Sequence, residues 1–204
     1  MSDLSTDADL TAGFDAFASQ LAAQLACGVT PSHEHDIHFC LALGLQAEYA
    51  LPLGSIIFEH NRTDLWLVPR KASFEVKYSR KLNAGPGTLA TILQDMRKLA
   101  RSTDSDERFF VLVSGTFMDY LRRHQPTLMP LTEGATTTIT ATRLGRLTKG
   151  VRDKAMPGWT DVNMRLLWTR RVEPWRIDVW RVTLAAATAD QPPQTPITVT
   201  GDHP

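Results

Sequence analysis

The residues best suited to chemistry lie in two short segments, Asp64-Leu-Trp-Leu-Val and Ser73-Phe-Glu75-Val-Lys77-Tyr. Both read as strands, and side chains alternate across a strand. Asp64, Trp66 and Val68 therefore share one face of the first, and Glu75 and Lys77 share one face of the second. In a hairpin turning at Pro69-Arg70, a two-residue loop pairs Asp64 with Glu75, whereas a four-residue loop pairs Asp64 with Lys77 and Trp66 with Glu75. Either even loop brings both acids and the lysine to one face. Pro69 disfavours the primed two-residue turns, so the longer loop is expected. Carboxylates about 5–8 Å apart on neighbouring strands repel, and a divalent cation cancels that repulsion better than a lysine alone. Magnesium prefers carboxylate oxygens, water and substrate phosphate. Such an ion neutralises a scissile phosphate and lowers the pKa of a bound water. The lysine can position that water or help deprotonate it, and can stabilise developing charge. The spacing points to phosphodiester hydrolysis. Glu75-Val76-Lys77 is the only acid-x-Lys triplet in the chain, and it lies in an apolar strand, where two charges are costly without a use. Glu59, at the end of a neighbouring strand, is the second choice for the first acid.

On these residues the sequence resembles the PD-(D/E)xK phosphodiesterase superfamily, the restriction-endonuclease-like fold. The matching run is Asp64, ten residues, then Glu75-x-Lys77, over a region of roughly residues 30–115. The proline that names the motif is missing: Arg62-Thr63 precedes Asp64. The resemblance implies Asp64, Glu75 and Lys77 as catalytic residues, with Mg2+ (or Mn2+) held by Asp64 and Glu75. Members often add an acid from the helix before the sheet, and here the candidate is Glu34. At about 100° per residue it falls on the stripe of Ile37, Leu41 and Leu45, while Asp36 points away. Its plainer role is an acid in a first helical turn, favoured by the macrodipole. Arg62, Arg80 and Lys81 flank the motif as candidate phosphate contacts, or as ordinary surface charges. The expected substrate is DNA, with RNA the weaker alternative. The competing function is a catalytically inactive protein of the same fold serving as a nucleic-acid or protein interaction module.

The elements that must position these residues are readable from periodicity. Residues 10–27 carry Leu10, Phe14, Phe17, Leu21 and Leu25 at helical spacing. Gly28 ends that helix, and Thr30-Pro31 reads as the N-cap and first position of a second. Strands follow over Tyr49–Leu53, Ser55–Glu59, Asp64–Val68 and Ala72–Tyr78, punctuated by Gly54, Asn61 and Pro69. Gly85-Pro86-Gly87-Thr88 opens a third helix with Leu89, Ile92, Leu93, Met96 and Leu99 on one face. Arg108–Ser114 reads as a strand buried on both sides, and Phe117–His124 as a short helix. Thr136–Leu144, Val162–Val172 and Trp175–Ala185 are strand-like. The order predicts an α/β fold with a mixed sheet flanked by helices and a β-rich C-terminal elaboration. Residues 1–9 are expected to be a mobile acidic tail, 10–189 a single domain (core about 30–115, extension about 130–189), and 190–204 a disordered Pro- and Thr-rich tail.

Bulk properties narrow the class. The chain has 204 residues, 43% of them hydrophobic, and a formal net charge of zero; this suits one domain with a real core. Charge is segregated: no Lys or Arg occurs before Asp36, and bases dominate Arg62–Arg101 and Arg143–Arg181, a distribution able to form a phosphate-tracking face. Cys27 and Cys40 cannot form a disulfide framework and read as buried thiols in a reducing compartment, so the cytoplasm is expected. No run is apolar and long enough to span a membrane. His33, His35 and His38 cluster in SHEHDIH, but without a fourth ligand such as a nearby Cys the spacing is poor for zinc; only His38 shares the face of Glu34. The tryptophans at 159, 168, 175 and 180 alternate with arginines and read as core of the C-terminal sheet rather than base-stacking platforms. That region would supply substrate contacts or an oligomer interface, and a homodimer is compatible with it.

Overall fold

The computed structural model describes residues 7–79 and 85–185; Arg80, Lys81 and the expected 190–204 tail lie outside them. Helix α1 (Asp7–Ala26) buries Leu10, Phe14, Phe17 and Leu21. It begins at Asp7, so the last three residues of the expected tail are helical. Helix α2 (Glu34–Tyr49) turns Ile37, Leu41 and Leu45 inward, as their spacing predicts. Its start is not the Thr30-Pro31 signal. Asp36 folds back instead, its Oδ2 accepting from the N–H groups of Ser32 and His33 at 2.6 and 3.0 Å, so that His33 becomes the N-cap. Those bonds hold the Asp36 carboxyl below its ordinary range. The far end of α2 corrects another expectation: the strand expected over Tyr49–Leu53 is helix through Tyr49, then turn. The Tyr49 hydroxyl accepts from the Gly13 N–H at 3.0 Å, a tertiary tie that outweighs the local strand propensity of Tyr49–Leu53. Ala50 closes the helix in the left-handed region (φ 47°).

A three-stranded meander follows, β1 (Ile56–Phe58), β2 (Leu65–Leu67) and β3 (Ala72–Ser79). The β2–β3 register sets Leu65 against Phe74 and Leu67 against Ala72. Continued one step, it places Asp64 opposite Glu75. This is the register of the shorter loop, not the expected longer one. Pro69 is accommodated because the connection is a 3-10 turn, Val68–Arg70, closed by Lys71 at φ 49°, rather than a primed turn. Helix α3 (Pro86–Ala100) then carries the chain to β4 (Glu107–Ser114), which lies parallel to β3. Helix α4 (Phe117–His124) has the bounds read from sequence.

The strand expected over Thr136–Leu144 stops early. Strand β5 is Thr136–Ile139, and Thr140 caps the short helix α5 (Ala141–Gly145) by accepting from the Arg143 N–H. Helix α6 (Lys149–Ala155) was not anticipated; β6 (Val162–Val172) and β7 (Trp175–Leu184) match their reading. The seven strands lie in the order β1-β2-β3-β4-β7-β6-β5, and only β3–β4 is parallel. The fold is thus a mixed sheet between two helical layers. One core packs α1 and α2 on the Phe74, Val76 and Phe109 face. The other packs α3, α4 and α6 on the Phe110, Leu112 and Trp180 face. Trp168, Trp175 and Trp180 are core; Cys40 is buried, but Cys27 is exposed, contrary to expectation. Among the described residues no helix is long and apolar enough to cross a membrane.

Candidate metal and catalytic site

The site forms where the sheet is incomplete. Strand β2 pairs only with Ala72–Phe74, so beyond that point β3 has no strand on that side among the described residues. Buried backbone N–H groups need acceptors, and two carboxylates supply them. Asp64 Oδ2 accepts from the Val76 N–H at 2.7 Å, and Glu34 Oε2 accepts from the Tyr78 N–H at 3.1 Å. Glu34 is the first residue of α2, and Asp64 immediately precedes β2. The gap also lets the two helical layers meet, because α2 lies on one face of the sheet while Glu75 and Lys77 project toward α3 on the other.

Lys77 is the hub. Its Nζ lies 3.3 Å from Glu34 Oε1, 3.4 Å from Glu75 Oε1 and 3.6 Å from Asp95 Oδ2. Burial opposes its charge, but the combined attraction of Asp95, Glu75, Glu34 and Asp64 holds its pKa above the ordinary lysine value. Glu75 is 2% exposed, lies 3.6 Å from Lys98 Nζ, and has no hydrogen-bond partner for Oε2. Burial first, then the Asp64 charge, push its carboxyl up to about 7 against the pull of Lys77 and Lys98. Burial raises Asp95 as well, despite Lys77 and Lys98 beside it.

His38, one turn along α2 from Glu34, completes the group. It is 2% exposed, its Nε2 lies 3.7 Å from Asp64 Oδ2, and neither ring nitrogen has a hydrogen-bond partner. Burial lowers its pKa despite the attraction of Asp64 and Glu34, which keeps the imidazole neutral and able to ligate. One donor atom each from Glu34, His38 and Asp64 lie within 4.8 Å of one another. An oxygen–nitrogen–oxygen set with an orphaned buried imidazole fits a divalent cation: buried polar atoms are rarely left unpaired, and a metal would take the unpaired nitrogen.

No family model, curated protein or solved structure matches this chain.

Of the residues singled out from sequence, Asp64, Glu75, Lys77 and Glu34 come together at this gap. Glu75 sits beside the lysines rather than within the three-donor group. Glu59 is exposed, in a left-handed turn, with its N–H on the Asp64 carbonyl. Arg62 closes the 3-10 turn His60–Arg62 just before Asp64; Arg80 and Lys81 fall outside the described residues. The residues sequence reasoning missed are His38, set aside with the zinc reading, and the α3 pair Asp95 and Lys98. A signal existed for two of them. His38 shares the face of Glu34, and Asp95 stands only about 40° around its helix from the inward Leu99.

Proposed function

We propose that this protein is a metal-dependent phosphodiesterase acting on nucleic acid, DNA being the expected substrate. The observation that carries the reading is the meeting of Glu34, His38 and Asp64 donor atoms beside Lys77 and Glu75. The resemblance to the PD-(D/E)xK superfamily supports it on Asp64, Glu75, Lys77 and Glu34, but not on His38. Glu34, His38 and Asp64 would hold the ion, and the imidazole donor makes a transition-metal ion such as Mn2+ a better fit than Mg2+, which has little use for nitrogen. When bound, the ion supplies positive charge for the scissile phosphate and acidity for a water molecule.

The chain's own groups divide the remaining work. Lys77 stays protonated at neutral pH, so it serves as a donor and a positive charge for the phosphate oxygens rather than as a base. Glu75 Oε2, buried, without a hydrogen-bond partner, 3.6 Å from Lys98 Nζ and titrating near neutrality, is suited to take the proton of the attacking water. Asp95 holds Lys77 from the α3 side and acts as a positioning residue. The alternative, an inactive interaction module, draws on the ion pairs that Lys77 makes with Glu34, Glu75 and Asp95.

The deciding experiment is cleavage of supercoiled plasmid and labelled linear DNA with Mg2+ or Mn2+, wild type against Lys77→Ala. Metal-dependent cleavage reduced roughly a hundredfold or more in the folded variant is expected. Equal inertness of two folded proteins would favour the interaction module.

A further inference from the structure

A second polar cleft opens on the same end and face of the sheet, between α4 and the β6–β7 hairpin. Cross-strand pairing lays out its floor. Lys77, Leu112, Asp178 and Thr169 form one row across β3, β4, β7 and β6; Ser79, Ser114, Arg176 and Arg171 form the next. Residues paired in this way point to the same face, here the face under α3 and α4. A bulge between Leu166 and Trp168 makes this so. Before it Leu166 faces the α3 layer, and after it Trp168 faces the α1 layer, so the alternation shifts by one and Thr169 and Arg171 turn toward α4. Arg170 borders the cleft as well, but its guanidinium pairs with Asp15 of α1. Bulges are known to re-aim side chains in this manner.

The cleft, about 250 Å³, is lined by Ser114, Asp119, Arg122, Thr169, Arg171 and Arg176 among others, one carboxylate beside three guanidinium groups. Beneath it Asp178 is completely buried. Its Oδ1 accepts from Arg176 Nε and from the Thr169 hydroxyl, both at 2.8 Å. A buried carboxylate is costly unless it holds a partner in place, and here it fixes the Arg176 guanidinium at the cleft floor. Arg122 comes from the helix and Arg171 from the neighbouring strand, so three guanidinium groups approach from three elements. Arg122 and Arg171 are satisfied by Asp119 and Glu173, but those pairs are largely exposed. Exposed pairs contribute little, and a phosphate offering charge-assisted bidentate bonds competes well with them. Strands lie about 4.8 Å apart, so the Asp178–Thr169 end of the row begins roughly 10 Å from Lys77, within reach of the same strand of nucleic acid.

We infer that this cleft is a phosphate-binding subsite that grips the substrate strand beside the reacting phosphodiester. The inference rests on the nuclease reading and extends it to a substrate class: a strand presenting either a terminal phosphate monoester or an internal diester at this position. The test measures binding of 5′-phosphorylated and 5′-hydroxyl single-stranded DNA of one sequence, in EDTA so that nothing is cleaved. Wild type is compared with Arg122→Ala/Arg171→Ala, whose substituted side chains are exposed and outside the core. The variant should bind about tenfold or more weakly, with a shallower dependence of affinity on salt. A loss confined to the phosphorylated strand identifies the terminal monoester; an equal loss on both identifies an internal diester. Unchanged affinity in the variant, or no binding by wild type, overturns the subsite. Mn2+-dependent cleavage is scored in parallel, so that the two readings fail separately. Cleavage with unchanged affinity removes the subsite alone, while arginine-dependent binding without cleavage removes the nuclease reading alone.

Discussion

Glu75 is held in an environment that suits neither of its charge states fully, and this has a measurable sign. Its folded-state pKa of about 7 lies above the ordinary 4.5. The native state therefore binds more protons than the unfolded chain between those values, and the Glu75 contribution to stability falls as pH rises through that window. Buried His38 has the opposite tendency, so a comparison with Glu75→Gln isolates the carboxylate. Thermal denaturation should show the variant more stable than wild type at pH 8, by on the order of 1–3 kcal/mol, with the difference shrinking toward pH 5. The same substitution should abolish cleavage. His38 makes a second prediction. His38→Ala should weaken Mn2+ binding about tenfold or more in calorimetry while changing Mg2+ binding less, since magnesium has little use for nitrogen. Unchanged preference between the ions would remove His38 from the ligand set.

At the scale of elements, the position of α2 is what brings Glu34 and His38 to the sheet, and the close crossing of α1 and α2 fixes that position. A Cβ on Gly44 would stand 2.5 Å from the backbone nitrogen of Phe17 and 2.7 Å from its Cα. Backbone cannot move aside as a side chain can. Gly44→Ala should therefore cost about 1–3 kcal/mol in denaturant unfolding and weaken metal binding, by displacing the helix that carries two of the proposed ligands. Much of this level was legible in sequence. The acid-x-Lys strand, the helix after it, the buried strand Phe109–Val113 and the final hairpin all followed from alternation and 3.6-residue spacing, because each is stabilised by its own pattern. The misread segments are those decided from a distance. Thr30-Pro31 carries every local mark of a helix start, yet the Asp36 carboxylate claims the N–H groups of Ser32 and His33. Tyr49 belongs to a helix because of Gly13, 36 residues earlier. Asp95 meets Lys77 only because β3 and α3 pack face to face, a contact no local window contains.

For the molecule as a whole, one sheet divides two apolar cores, and ion binding at the gap would tie α2 to the start of β2. A ligand that binds only the folded state stabilises it by about 2.7 kcal/mol at a hundred times its Kd. In a domain of this size that corresponds to a Tm increase of roughly 5–10 °C. Wild type should show this rise in a thermal shift titration with Mn2+. Asp64→Asn, which keeps an acceptor for the Val76 N–H, should lose most of it. A flat titration in the wild type would count against the metal site.

The carboxylates that seal the open edge of β3 carry an evolutionary consequence. Asp64 and Glu34 each satisfy a strand N–H that would otherwise be bare, and a bare strand edge invites pairing with other chains. If the proposed activity were lost, selection for folding alone would still retain both acids. His38, whose ring nitrogens make no hydrogen bond, seals no strand N–H, and under the proposed metal role it would be less constrained than the two acids once the ion was lost. Across divergent descendants, the fate of the histidine would therefore report activity better than the two acids do.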